Sequence, residues 1–147
     1  MRQLNRIVVH HSASPVRTKM EQAAQWHRAR GFQGLGYHFF CEWDGTRRIG
    51  RPVWKMGAHA KGANHDSIGI CLSGDNTKAD EHWTREQKRT LVLLVLSLWD
   101  VFGPLDVVRH CDVGTTATVC PGISDDEWHA ITTPMWLNGR LPVMGGE

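Results

Sequence analysis

The chain has no hydrophobic run long enough to cross a membrane. Of its 147 residues 41% are hydrophobic, but the longest apolar stretch, Leu91 to Leu98, is periodic and falls well short of the roughly 18 residues a span requires. The opening Met1-Arg2-Gln3-Leu4-Asn5-Arg6 has neither the apolar core nor the small-residue cleavage site of a secretory signal. The chain is therefore expected to be cytoplasmic as synthesised, with no membrane insertion. Charge of one sign is also scarce: 17 Lys and Arg stand against 15 Asp and Glu, a formal net charge of +2. That excess is too small to argue for a nucleic-acid partner. The four cysteines, Cys41, Cys71, Cys111 and Cys120, are not spaced as a disulfide framework and are expected to be reduced. No C-x2-C pair is followed by an H-x3-H pair, so a local structural zinc site of the finger type is excluded. Internal repeats, linkers and low-complexity segments are missing too, which leaves one domain over residues 1–147, large enough for a sizeable core.

What is present reads as strands interleaved with helices. Ile7-Val8-Val9-His10-His11 is a β-branched run ended by Ser12-Ala13-Ser14-Pro15, a buried strand delivering histidines to its C-terminal end. Thr18-Lys19-Met20-Glu21 is a capping box opening a helix to about Arg30, where Gly31 stops it. Met20, Ala23, Ala24 and His27 form its inward stripe. Tyr37 to Glu42 reads as a strand, Asp44-Gly45 as a tight turn, and Thr46 to Gly50 as the second arm of a hairpin. Residues 51–64 form a long irregular loop carrying Trp54, His59 and Lys61, a type of segment that more often serves function than connection.

Ser67 to Leu72 is a further buried strand, and Cys41 and Cys71 lie inside such strands as small core residues. A second capping box, Thr84-Arg85-Glu86-Gln87, opens the longest helix, whose face of Leu91, Leu94, Val95, Leu98 and Phe102 ends at Gly103-Pro104. Asp106 to Arg109 is a short strand. A third capping box, Ser124-Asp125-Asp126-Glu127, begins a last helix through about Ile131, and residues 139–147 are expected to be a frayed tail. The sum is an α/β fold, a small mixed central β-sheet flanked by about three helices.

The ligand-type residues stand at strand ends. His110 and Cys120 bracket a loop of small residues directly after the Asp106–Arg109 strand, and His10 and His11 close the first strand about a hundred positions earlier. Imidazole and thiolate together suit zinc. Ligands gathered from distant strand ends into one cleft are what a catalytic site with an open fourth position needs. His10 and His11 face opposite ways, so they do not serve one site equally. Tyr37, the only tyrosine, follows a glycine-rich loop and is placed to aim a hydroxyl into such a cleft. Asp112 reads either as an orienting partner of a ligand histidine or as a loop cap.

Five segments carry a resemblance. Val8 to Ala13, Gly36-Tyr37-His38-Phe39, Gly57 to Gly62, Asn64 to Ile70 and His110 through Cys120-Pro121-Gly122 resemble, in order, the zinc-dependent N-acetylmuramoyl-L-alanine amidases. That family includes short phage lysis amidases and the animal peptidoglycan recognition proteins. The resemblance implies one Zn2+ per chain, with His10 rather than His11 as a ligand beside His110 and Cys120. It implies that Tyr37 assists catalysis and that Thr118 stands where phage members usually carry lysine and recognition proteins threonine. His59, Asn64 and Trp54 match positions lining the substrate groove. The implied activity is cleavage of the amide between N-acetylmuramic acid and the L-alanine of the stem peptide, by a monomeric phage or prophage endolysin acting on peptidoglycan after release. A non-catalytic peptidoglycan-binding module is the alternative; in this family loss of the cysteine or the tyrosine marks it, and Cys120 and Tyr37 are both present. A structural zinc domain touching nucleic acid through Arg47, Arg48 and Arg51 is a third reading, disfavoured by the charge balance.

Overall fold

A computed structural model describes residues 1–140. Five strands form one mixed sheet in the order β3-β2-β4-β1-β5. They are β1 (Arg6–His11), β2 (Phe39–Cys41), β3 (Arg47–Ile49), β4 (Ser67–Leu72) and β5 (Asp106–Arg109). β1 lies between β4 and β5 and runs parallel to both, β2 is parallel to β4, and only β3 is antiparallel. The three helices are α1 (Met20–Ala29), α2 (Arg85–Phe102) and α3 (Asp125–Arg140). Among the described residues no helix is long and apolar enough to cross a membrane.

The parallel strands are buried on both faces, which is why β1 and β4 read as continuous apolar runs rather than alternating ones. Alternation still decides which residue goes where. Ile7 and Val9, Ile68, Ile70 and Leu72, and Phe39 and Cys41 turn to one side. There they meet Leu91, Leu94, Val95 and Leu98 of α2 and Trp128, Ile131 and Met135 of α3. Each large side chain so buried contributes roughly 1.5–3 kcal/mol. Val8, Phe40 and Cys71 turn to the other side, under α1 and the loop after β3.

Gln87 joins α2 to the sheet. Its Oε1 accepts from the Thr84 amide at 2.9 Å, and its Nε2 donates to the Ser73 and Cys41 carbonyls at 2.8 and 3.2 Å. One side chain thus completes the helix cap and ties α2 to the chain at the ends of β2 and β4.

Three boundaries differ from the sequence reading. The first helix is capped at Lys19, not Thr18; the Thr18 hydroxyl donates to Pro15 O at 2.6 Å, and Glu42 Oε2 accepts from the Met20 amide at 3.1 Å. Gln22 Oε1 closes the cap locally, accepting from the Lys19 amide at 3.1 Å, and the distant Glu42 satisfies the next amide. β2 covers only Phe39–Cys41; Tyr37 and His38 lie in a bend before it, where their carbonyls accept from the Arg51 and Gly50 amides. The last helix runs on past Ile131 to Arg140 despite Pro134. Met135 is fully buried and Trp136 packs on Trp99 at 4.3 Å, so tertiary packing outweighs the proline. Residues 139 and 140 of the expected tail belong to this helix, and residues 141–147 lie outside the described residues.

Candidate active site

Parallel strands bring their C-terminal ends to one edge of the sheet, where α/β proteins assemble their sites. β1 ends in His10-His11, and β5 hands the chain to a single 3-10 turn, His110–Asp112. The following loop folds back until the Cys111 amide donates to Cys120 O at 2.8 Å. His10, His110 and Cys120 each then offer a ligand-type atom, all within 4.8 Å of one another. His10 Nδ1 lies 3.8 Å from Cys120 Sγ, and the His10 and His110 rings are 4.6 Å apart. His11, one residue on, faces the opposite way, and its Nδ1 accepts from the Asn76 amide at 3.1 Å.

Arg109 holds the base of this loop. Its guanidinium pairs with Asp112 and with Asp125, each at 2.8 Å, tying the turn to the start of α3. Asp112 therefore serves the loop, and among the described residues its carboxylate bonds to Arg109 rather than to His10 or His110. Across the cleft, Lys61 O accepts from the Thr115 amide at 2.8 Å. Gly114 makes that approach possible, since a Cβ there would sit 2.6 Å from Lys61 O.

The three side chains suit a metal ion by their chemistry. Burial, then the neighbouring histidines His59 and His110, push the His10 pKa well below its ordinary value, so the ring is neutral and has a lone pair to give. Desolvation lowers that of His110 as well. His110 Nε2 is a buried nitrogen with no hydrogen-bond partner among the described residues, an expense that coordination would remove. Burial raises the Cys120 thiol to about 12, so it becomes a thiolate only against a strong local cation. A nitrogen–sulfur donor set of this kind fits a transition-metal ion.

The cluster floors a cavity of about 600 Å³. Of the other residues expected at the site, Tyr37, Thr118, His59 and Asn64 all line it, and Trp54 does not: it is 67% exposed and lies apart. The Tyr37 ring is 5.1 Å from that of His10. Burial, with the Cys71 and Cys120 thiols beside it, holds the Tyr37 pKa well above its usual value, so the hydroxyl keeps its proton. Thr118 Oγ1 accepts from the Cys120 amide at 3.1 Å, which leaves its own proton to donate. Asn64 Oδ1 is spent on the loop, accepting from the His59 and Ala60 amides at 3.0 and 2.9 Å.

Several contributors were not foreseen. Arg30, its guanidinium 5.2 Å over the Phe32 ring, forms a cationic wall of the cavity. Ser67 and Gly69 stand behind His59, and a Cβ on Gly69 would lie 2.6 Å from the His59 ring. A glycine inside a strand is the signal that could have pointed there. Conversely, Arg48 pairs with Glu21 and Glu42, and Arg51 donates to the Leu35 and Met56 carbonyls. Neither is free to meet a phosphate backbone.

Comparison with known proteins agrees with this geometry. The endolysin of Enterobacteria phage T3 is 36% identical over 127 residues, 83% of either chain. The solved structure of the N-acetylmuramoyl-L-alanine amidase LysC from Clostridium intestinale superposes with a TM-score of 0.81 at 33% identity, covering 93% of this chain and 87% of that one. Peptidoglycan-recognition protein SC2 of Drosophila melanogaster is 29% identical over 146 residues, 93% of this chain and 76% of that protein. Residues 1–123 match the sequence profile of Amidase_2, described as N-acetylmuramoyl-L-alanine amidase. The chain belongs to the N-acetylmuramoyl-L-alanine amidase family.

Proposed function

We propose that the chain is a zinc-dependent endolysin that cuts peptidoglycan at the amide between N-acetylmuramic acid and the L-alanine of the stem peptide. The observation that carries this reading is the convergence of His10, His110 and Cys120 at the floor of an open cavity. Three protein ligands and a solvent-facing side are the arrangement of catalytic rather than structural zinc. Zinc, when bound there, supplies Lewis acidity and makes water acidic enough to react at neutral pH.

The remaining chemistry falls to the chain. Attack on the amide carbonyl puts negative charge on its oxygen, and the Tyr37 hydroxyl, kept protonated by its surroundings, donates a hydrogen bond to that charge. Thr118, whose oxygen is already an acceptor, donates its proton from the opposite loop. The walls of the cavity hold the sugar and peptide on either side of the scissile bond; a volume of about 600 Å³ has room for the groups that flank it. As such an enzyme the chain binds one zinc, acts as a monomer, and reaches the cell wall after release from the cytoplasm.

The test is to incubate the protein with one equivalent of zinc and purified peptidoglycan, counting new peptide amino termini and new reducing sugar ends. Amino termini appear in step with digestion if the reading is right. Reducing ends without amino termini would make the enzyme a glycosidase and overturn it.

A further inference from the structure

His59 matches a substrate-groove position by resemblance, yet both of its ring nitrogens are engaged inside the protein. We propose that His59 is a positioning residue, which with Ser67 fixes the tautomer of His10 and turns the His10 Nδ1 lone pair toward the metal centre.

The hydrogens can be placed one after another, starting from an atom with no choice. The Ala63 carbonyl can only accept, so the Ser67 hydroxyl, 2.6 Å away, spends its proton there. Ser67 Oγ then offers only lone pairs to His59 Nε2 at 3.4 Å, and that nitrogen carries the ring hydrogen. His59 Nδ1 is left as an acceptor, and it lies 2.8 Å from His10 Nε2. His10 must therefore carry its hydrogen on Nε2. Its Nδ1 is bare, and Nδ1 is the atom 3.8 Å from Cys120 Sγ. A ligand histidine is commonly held this way by whatever its other nitrogen meets; here a carbonyl acts at two removes.

The surroundings keep the relay in place. Asn64 Oδ1 pins the His59 backbone amide at 3.0 Å. The ring lies flat on β4 because Gly69 has no side chain, and it meets the His10 ring edge-on at 4.9 Å. Among the described residues the charged or titratable groups facing His59 are His10, Tyr37, His38, His110, Arg2 and Arg51, with no carboxylate among them. Nothing there favours a cationic His59 that would reverse the direction of donation.

The tautomer is a property of the metal-free chain; only its consequence for zinc rests on the reading above. Long-range 15N–1H spectra of the full-length, metal-free protein, with the rings assigned through His59→Gln and Ser67→Ala, are expected to show both His10 and His59 as Nε2–H tautomers. A His10 ring protonated on Nδ1 would overturn the proposal. Zinc affinity, measured by competition with a chromophoric chelator, is expected to fall about 10–100-fold in His59→Ala and to recover in part in His59→Gln, whose amide oxygen can still accept. Ser67→Ala should loosen zinc less and broaden the tautomer signals of His10. Unchanged affinity in both His59→Ala and Ser67→Ala would sink the idea. If His59→Ala fails to fold, the Gln and Ser67 variants carry the test. A wild-type chain that binds no zinc yet shows both tautomers would refute the zinc reading and leave the relay standing.

Discussion

Val9 and His10 are neighbours in β1, and the sheet sends them to different environments. Val9 joins Ile7, Ile68, Ile70 and Leu72 against α2 and α3, a face built of carbon. His10 faces the other way, among His59, His110, Tyr37 and Cys120. That side is covered by one helix and an irregular loop rather than by a helical pair. Clustering neutral imidazoles and a thiol costs desolvation energy, and the apolar face offsets it. The difference between the faces suggests that stability and chemistry are separable here residue by residue, although they alternate along the same strands.

The sharpest way to break that separation is at the ligands. Cys120→Ala is expected to lose zinc and to drop amide hydrolysis to background, a fall of at least about 10⁴-fold if zinc supplies the main acceleration. Its metal-free unfolding free energy should fall by no more than about 1–2 kcal/mol, because the change removes a single buried sulfur atom. A variant that kept zinc and full activity would remove Cys120 from the site. The converse change is Leu91→Ala, at a fully buried position of α2. It should cost about 2–5 kcal/mol in urea unfolding while leaving kcat per folded molecule unchanged. A fall in kcat with the protein still folded would show that the apolar face shapes the site after all.

Tyr37→Phe tests the polar face without touching a ligand. Losing one hydrogen-bond donor to the developing charge should cost about 3 kcal/mol of barrier, roughly a hundredfold in kcat, with KM and zinc affinity little changed. Steady-state kinetics on a soluble muropeptide would measure it, and an unaltered kcat would take Tyr37 out of the chemistry.

The sequence told the two faces apart unequally. β4, β5 and α2 were legible to the residue, because β-branched runs and a true capping box at Thr84 are local signals. The pair His110 and Cys120 was legible as chemistry, and the choice of His10 over His11 needed a resemblance, since strand alternation separates them without saying which faces the site. What stayed hidden was the material behind the site. Asn76 and Arg2 act through hydrogen bonds to residues that are distant in the chain. Arg2, for example, donates to Val53 O at 3.1 Å and to Ser67 O at 2.8 Å, fastening the loop that carries His59. No window of sequence contains such a bond. α3 exceeds its expected end near Ile131 for a related reason: the burial of Met135 and the Trp99–Trp136 contact, both tertiary, carry the helix past Pro134.

His38 gives the polar face a pH dependence. It is fully buried, its Nδ1 accepts from the Gly69 amide at 2.9 Å, and its Nε2 donates to Lys55 O at 2.8 Å. Burial, with Arg2 and Arg51 nearby, lowers its pKa from 6.5 to about 4. A histidine whose folded pKa is depressed binds its proton more readily when unfolded. Its contribution is thus complete above about pH 6.5 and is lost as pH falls toward about 4. Between about pH 6.5 and about pH 5 the loss is on the order of 2 kcal/mol. Urea unfolding of metal-free protein across that range should show the decline, with a shallower slope in His38→Gln. Equal slopes would place the acid sensitivity elsewhere.

The smallest expected effect sharpens the comparison most cleanly. Thr84 caps α2 on the apolar side: its Oγ1 accepts from the Gln87 amide at 3.1 Å and donates to Trp43 O at 2.7 Å. Thr84→Ala should cost about 1 kcal/mol, visible as a lowered urea midpoint with an unchanged slope. It should leave zinc affinity, kcat and KM alone, since no bond from Thr84 reaches the β1 or β5 ends where the ligands sit. The relevant readout is the chelator competition, because a loosened α2 could reach the site only by shifting the sheet. A shift large enough to matter would move His10 relative to Cys120, which the metal would register before the substrate did. Unchanged zinc affinity at reduced stability would show the sheet acting as a partition, and a parallel loss of both would show it acting as a lever.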